Sequence, residues 1–495
     1  MAGINAEHSI YNQLMDVMER LEKMETASAE MKLAHKKERE KDKQEIRELK
    51  EKIKSQEETI NKLTNEIDRL KHKNDKDSHN SSLPPSRDQR PERKAPNEYN
   101  GRKKSGKKSG GQEGHKGRTL LLQETLDKLA KMGVAPIIEE IGDTLKPYKE
   151  RLVLDISLNI RAILKRFHQD SAGKNNIPLE YRSEVTYGSR TKALAALLYG
   201  KGVQSAERIV DIISAITNRG IQLSQGTLFN WLETMYINGE ADEHTIENYL
   251  LDRDQILTDA TTMTVNGLQT YIRNFSSDLG VMYVPMERKN LEALGRIPFL
   301  QRFIGTLIHD HETALYHFGR NHAECNIHLA RYLTANTENT GHRWSSRMKS
   351  LFLEMNRYRK RVKSHGWTSI PEVTLNRLEE RYDKLLDYAE EERCRHPAKF
   401  KWADKEEAAL INRLRKYKAN HLLFLRDFNV PFDNNTSERD LRQCKNRQKM
   451  CGGFRKEHGK EIYCRLMSIT ETCKRRKIDL MEAYEKIFSC QPVLA

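Results

Sequence analysis

No cysteine occurs before Cys325 in this 495-residue chain, and the seven present (Cys325, Cys394, Cys444, Cys451, Cys464, Cys473 and Cys490) never form a CxxC pair. An odd number at scattered spacings argues against a disulfide framework and fits a reducing compartment. Long apolar runs are missing too, and the first residues are polar, so neither a membrane span nor a signal peptide is expected. The expected location is the cytoplasm. Glycine and proline are absent from residues 8–73, which leaves a long stretch without helix breakers. Aliphatic residues nearly vanish between Asn80 and Arg118, and a segment of that composition cannot offset its own ordering entropy by burial.

Positive charge is what the chain has in excess. Lys and Arg number 86 against 71 Asp and Glu, a net charge of +15 with a pI near 9.3. Such an excess fits a polyanionic partner, because Lys and Arg displace counterions from phosphates. The length suffices for about two to four domains with at least one large core.

The organisation changes several times along the chain. From Ile46 the apolar residues fall at Ile46, Leu49, Ile53, Ile60, Leu63, Ile67 and Leu70, an a/d pattern with one polar break at Gln56. That seam asks for a second helix, and β-branched a positions with Leu at d favour a parallel dimer. A single helix solvated by i,i+4 ion pairs is the alternative. Residues 1–73 are therefore expected to form a dimerising coiled coil and 74–118 a basic flexible linker. In that linker Arg102, Lys103, Lys104, Lys107, Lys108 and Lys116 are placed to follow a DNA backbone through phosphate contacts, unless the segment is only a solvated tether. Residues 119–245 read as helical. Ser205–Ile216 and Ser224–Met235 form two periodic segments around a turn containing Gly220, and Gln225, Thr227 and Asn230 follow the capping Ser224. This pattern suits a helix-turn-helix with a DNA-reading second helix, and equally an ordinary helical hairpin.

After Leu251 strand signals begin. QILTDAT, TYIRNFSS and GVMYVPM read as three strands, RKNLEALG as a helix and FIGTLIHD as a buried strand. A helix over Glu312–Phe318 and a strand over Ala323–His328 follow. Residues 329–425 are helical and highly charged, and VPFDNNTSERDLRQCKNRQK reads as a loop entering a basic helix. This is the element order of a ribonuclease H-like core. The expected fold is α/β: a mixed sheet flanked by helices over 246–455, with an all-helical insertion at about 329–425. A helical DNA-binding domain and a coiled coil precede it, and helices over 456–495 close it.

In-line attack on a phosphodiester needs an activated oxygen nucleophile and a stabilised leaving oxygen. Two divalent ions about 4 Å apart provide both, held by carboxylates on a rigid sheet. Asp259 lies near the end of the first strand, Asp310 closes FIGTLIHD, and Glu438 opens the helix after DNN. Each also has a structural reading: a turn residue, a helix cap, and the acid of an Asn435-Thr436-Ser437-Glu438 capping box. Glu312, Asp252 and Asp433 are the nearest competitors. Beyond Glu438, Arg439, Arg442, Lys445 and Lys449 are candidate DNA contacts, the last three spaced to share a helix face with the acid.

At these residues the chain resembles bacterial transposases of the insertion sequence sixty-six family. The resemblance runs through the coiled coil, GRKKSGKKSGGQEGHKGRTL, SQGTLFNW, TDAT, TLIHD and CNIHLAR to VPFDNNTSERDLRQCKNRQKMCGGFR. It implies a DDE triad of Asp259, Asp310 and Glu438 holding two Mg²⁺ (or Mn²⁺). It also implies cleavage at the ends of a mobile element and strand transfer by 3′-OH attack on target DNA. Double-stranded DNA, a second copy of the chain and accessory proteins of the same element are the implied partners, in a nucleoid-associated bacterial setting. Two departures stand out. Ala260 occupies the place where the family has Glu, and the absence of early cysteines excludes the zinc motif many relatives carry in the N-terminal half. Cys325 and His328 match a C-x-x-H position, two ligands where zinc wants about four, and read as groups that pack and orient the strand beside the sheet. Arg331 is a candidate phosphate contact or a plain surface residue. The rival functions are a repurposed DNA-binding protein without catalysis and a metal-dependent nuclease.

Overall fold

In a computed structural model of the chain, the residues described are 2–74, 121–139, 141, 149–154, 159–181 and 183–494. Of the expected linker over 74–118, Asn74 ends the first helix, and the rest, with all six basic candidates, lies outside the described residues. Two compact units are present: one combines residues within 1–89 with 331–351 and 379–416, the other combines 90–330, 352–378 and 417–495.

The first unit contains α1 (Ala2–Asn74), one unbroken helix as expected from the absence of Gly and Pro over residues 8–73. Its seam residues Ile46, Leu49, Ile53, Ile60, Leu63, Ile67 and Leu70 are all exposed. The unit also holds parts of α9 (Asn326–Thr340), α10 (Trp344–Ser364) and α11 (Glu372–Arg395), and all of α12 (Lys401–Lys416). These helices meet at Glu407, whose fully buried carboxylate takes hydrogen bonds at Oε1 from Asn336 Nδ2 (3.1 Å) and Trp344 Nε1 (2.6 Å). The same oxygen lies 2.8 Å from His342 Nδ1, and His342 Nε2 lies 2.7 Å from the carbonyl of His396. A buried carboxylate is tolerable only with this density of partners.

In the second unit, helices occupy α2 (Leu122–Lys131), α3 (Ser189–Gly200), α4 (Ala206–Ile216), α5 (Gln225–Asn238) and α6 (Glu240–Leu251). Ser205 and Ser224 cap α4 and α5 as their sequence positions require, accepting from the amides of Arg208 and Thr227. Ile209, Ile213, Leu228, Trp231 and Leu232 are buried. The helical reading fails between α2 and α3. Described residues there form a turn at Leu179–Tyr181 and a bridge between Gln169 and Asn175, while Ile137, Ile138 and Ile141 are at least 81% exposed. Apolar periodicity stabilises a helix only when the face is covered.

The sheet has five strands: β1 (Gln255–Val265), β2 (Leu268–Ser276), β3 (Val281–Met286), β4 (Thr306–His309) and β5 (Asn321–Glu324), in the order β3-β2-β1-β4-β5. The pairs β1–β2 and β2–β3 are antiparallel; β1–β4 and β4–β5 are parallel. Asn266 and Gly267, both with positive φ, make the two-residue turn from β1 to β2, which extends β1 beyond TDAT. Two short helices, α7 (Leu291–Gly295) and α8 (Pro298–Arg302), lead to β4. The expected helix after Asp310 is a 3-10 turn at Thr313–His317, and the expected strand to His328 stops at Glu324 because α9 begins at Asn326. The helix α13 (Lys418–Arg426) is followed by α14 (Asn435–Asp440), α15 (Arg442–Cys451), α16 (Glu457–Arg475) and α17 (Leu480–Phe488). Edge strand β3 is covered by α16: Ser468 Oγ and Thr472 Oγ1 accept from the amides of Tyr283 (2.8 Å) and Val281 (3.1 Å).

The C-terminal end of α15 is tied back onto β1. Gly452 ends the helix at φ 71°, and the Phe454 amide donates to Thr264 O (2.8 Å) while its carbonyl accepts from Asn266 (2.8 Å). Gly453 has φ 102°, and a Cβ there would stand 2.2 Å from Thr264 O. Gly453→Ala is therefore expected to cost about 2–4 kcal/mol, read as a lower urea midpoint with unchanged slope. In the helical unit, His342 has its pKa raised above 6.5, because Glu407 outweighs the burial that opposes the charge. Its contribution to stability is present in full below pH 6.5 and is lost as pH rises through the folded value. The stability gap between wild type and His342→Gln should accordingly shrink with rising pH in denaturant titrations.

Candidate active site

Asp259 sits mid-strand on β1, opposite Asn274 of β2. Asp310 follows the last residue of β4, and Glu438 lies in the first turn of α14. The parallel pairing of β1 with β4 brings the first two acids together, and burial followed by the charge of Asp310 raises the pKa of Asp259. The Ala260 amide (2.7 Å to Asp259 Oδ1), Lys289 and Lys445 oppose that shift. His328, in the first turn of α9, joins the other two acids. Its Nδ1 lies 2.7 Å from Asp310 Oδ1 and 3.7 Å from Glu438 Oε1. Burial disfavours the imidazolium, but Asp310 and Cys325 more than offset this and the pKa is pushed up to about 10. The pocket therefore stabilises positive charge at the point where the acids converge.

A hydrogen-bond hub fixes the geometry. Asn274 Oδ1 accepts from the Asp259 amide (3.2 Å) and from Ser437 Oγ (2.7 Å), while its Nδ2 donates to Ser437 O (3.0 Å) and Ser276 Oγ (3.0 Å). Asn434 donates from Nδ2 to Thr258 O (2.8 Å) and from its amide to Cys325 Sγ (3.3 Å). Asn274, Asn434 and Ser437 are all fully buried. One turn later Asp440 accepts from Ser276 Oγ (2.6 Å) and pairs with Arg475. These contacts set the backbone of α14 against β1 and β2 on both sides of Glu438.

The competing acids have other duties. Glu312 is held through both oxygens by Nη2 of fully buried Arg273 (2.6 Å each). Asp433 Oδ1 accepts from the Asn435 amide (3.1 Å), and Asp252 is the exposed C-cap of α6. No capping box forms at Asn435: the N-cap is Asn434, without a side-chain cap bond, and Glu438 turns to His328. Cys325 and His328 do not extend a strand. Cys325 is buried between β5 and α9, and His328 faces the acids from α9.

Among the expected DNA contacts, Gln225 and Asn230 are exposed on α5 and Thr227 is half-buried. Arg331 is exposed on α9. Arg439 on α14 and Arg442, Lys445 and Lys449 on α15 are exposed, and Lys445 acts electrostatically on Asp259. The helix is interrupted at buried Leu441, so Glu438 and the cationic row belong to two successive short helices. Sequence reading missed Lys289, whose Nζ bonds Ala260 O at 3.1 Å, and the Asn274 hub. Asn274→Ala leaves several buried groups unpaired and is expected to destabilise the fold by about 2–4 kcal/mol. A change in unfolding free energy below about 0.5 kcal/mol would refute the hub.

Residues 187–462 match the profile described as Transposase IS66 family, and residues 16–120 match a Family of unknown function (DUF6444). No curated protein matches the chain. The first match spans more than half of the 495 residues. The chain belongs to the Transposase IS66 family.

Proposed function

We propose that this protein is a DDE-type DNA transposase with a ribonuclease H-like catalytic core, in which Asp259, Asp310 and Glu438 are the metal-binding carboxylates. The observation that carries this reading is the convergence of Asp310 and Glu438 on His328, with Asp259 beside Asp310. The strand order β3-β2-β1-β4-β5, three antiparallel strands followed by two parallel ones, supports the ribonuclease H-like assignment. The long helical block between β5 and α14 supports its description as an insertion before the third acid.

The residues fit a divalent ion. Burial and like charge both work against an ionised Asp259, and a pocket that holds an imidazolium between two carboxylates suits a cation. When bound, two Mg²⁺ (or Mn²⁺) ions supply activation of an oxygen nucleophile and stabilisation of the leaving oxygen. Asp259, Asp310 and Glu438 would hold them. Lys289 and Lys445 stand close enough to Asp259 to meet the phosphates of a bound strand, and Arg439, Arg442 and Lys449 continue that cationic surface.

In the same reading, α1 dimerises through its exposed seam, and α4–α5 with the basic linker bind the ends of the element. Accessory proteins of that element would complete the assembly. No helix among the described residues is long and apolar enough to cross a membrane, in keeping with action on DNA in the cytoplasm.

Purified full-length protein, incubated with pre-cut element-end DNA, a target plasmid and Mg²⁺, should yield joined product. Asp259→Asn, Asp310→Asn and Glu438→Gln should each reduce joining more than about 100-fold, since even partners outside a ligand set cost about 10- to 100-fold. Cleavage without joining would support a nuclease, and binding alone a repurposed DNA-binding protein. Full activity in any of the three variants would remove that residue from the site.

A further inference from the structure

One donor set at this site does not match the chemistry of magnesium. Among the described residues, a carboxylate oxygen of Asp310, Sγ of Cys325 and a ring nitrogen of His328 lie within 4.8 Å of one another. Magnesium takes oxygen and keeps its water, whereas a thiolate and an imidazole select a softer ion. We propose that Asp310, Cys325 and His328 form a binding site for a thiophilic divalent transition ion, with Zn²⁺ as the natural candidate and water as its fourth ligand.

The backbone prepares these donors. Cys325 and His328 are three residues apart across the start of α9, a spacing that brings the two side chains to one side of the helix terminus. Cys325 is held by its amide, which donates to His309 O (3.0 Å), and Asn326 by its amide, which donates to Phe432 O (3.1 Å). The Asn434 amide already donates to Cys325 Sγ at 3.3 Å, which fixes the side chain against the loop before α14. Asp310 leaves β4 directly beside them, and Glu438 Oε1 is 3.7 Å from His328 Nδ1. One sulfur, one nitrogen and one carboxylate oxygen, completed by water, are a donor set that tetrahedral zinc accepts. On binding, the ion displaces the thiol proton and the imidazole proton now directed at Asp310, and both pass to solvent.

The binding claim stands on this geometry alone. Its consequence rests on the proposed function: an ion that occupies Asp310 takes a ligand from the magnesium site, so zinc would inhibit DNA joining.

The test is a Co²⁺ titration of chelator-treated full-length protein followed by absorbance. The expected result is one Co²⁺ per chain, with a thiolate charge-transfer band and the visible bands of four-coordinate cobalt, both abolished by Zn²⁺. Cys325→Ser should remove the charge-transfer band. His328→Gln, at a half-exposed position, should weaken Co²⁺ binding at least about 10-fold and guards against a folding defect in the first variant. Absence of the band in wild type, or its persistence in Cys325→Ser, would overturn the proposal. The two readings fail separately. A cobalt band in a protein that joins no DNA leaves the metal site standing and removes the transposase reading, and DNA joining without a band does the reverse.

Discussion

The site depends on β1 being gripped along its length by a single later segment of chain. Near one end, Asn434 reaches Thr258 O and Ser437 meets Asn274 across from Asp259. Near the other, Gln448 bonds the Thr264 amide (2.8 Å) and Thr264 Oγ1 (3.0 Å), and Phe454 pairs with the strand end. The strand that carries the first acid is thus the rail on which the helix carrying the third is mounted. Because the bonds at Thr258 and Asn274 involve buried groups and those at Thr264 partly buried ones, a slip of α14 and α15 along β1 would break several at once. A buried donor or acceptor left without a partner costs about 1–3 kcal/mol, so the register of Glu438 relative to Asp259 is well determined.

Electrostatics completes what the hydrogen bonds begin. Asp259 resists ionisation first because it is buried and then because Asp310 stands beside it. The chain offsets the repulsion with cations on different elements: His328 from α9, Lys289 from the segment after β3, and Lys445 from α15. Arg273 acts elsewhere. By engaging Glu312 through both oxygens it removes a fourth carboxylate that would otherwise compete beside Asp310.

How much of this was legible in the sequence follows from the range of each interaction. The α1 helix, the capping serines at 205 and 224 and the three antiparallel strands rest on local patterns and were readable. Asp310 was readable because an abrupt Asp ends an apolar strand. Glu438 was ambiguous, since the Asn-Thr-Ser-Glu text fits a capping box equally well, and only the placement of His328 decides which way the carboxylate turns. The Asn274 hub was invisible because its partners lie 15 and 163 residues away. The stretch between α2 and α3 was misread for the opposite reason: its apolar residues promised a covered face, and nothing in a local window reveals that the cover is missing.

The helical block between β5 and α14 raises the question of how a long excursion can precede a helix that is held in fixed register against β1 and β2. The answer lies where the excursion starts and stops. The Asn326 amide donates to Phe432 O, Asn326 Nδ2 donates to His421 O (3.0 Å), and Asn420 Nδ2 donates to His322 O (2.9 Å). Departing and returning strands of chain are therefore hydrogen-bonded neighbours next to Cys325. Arg359 of α10 adds two bonds to the returning loop, at Phe428 O (2.6 Å) and Val430 O (2.7 Å). With its ends clamped, the excursion contributes mainly a closure entropy, which grows only as the logarithm of length, about 0.6 kcal/mol for each doubling. The precision of the third acid is thus decoupled from the size of what is inserted before it. That is the physical condition under which a sheet can carry a large helical block without displacing the helix that follows it.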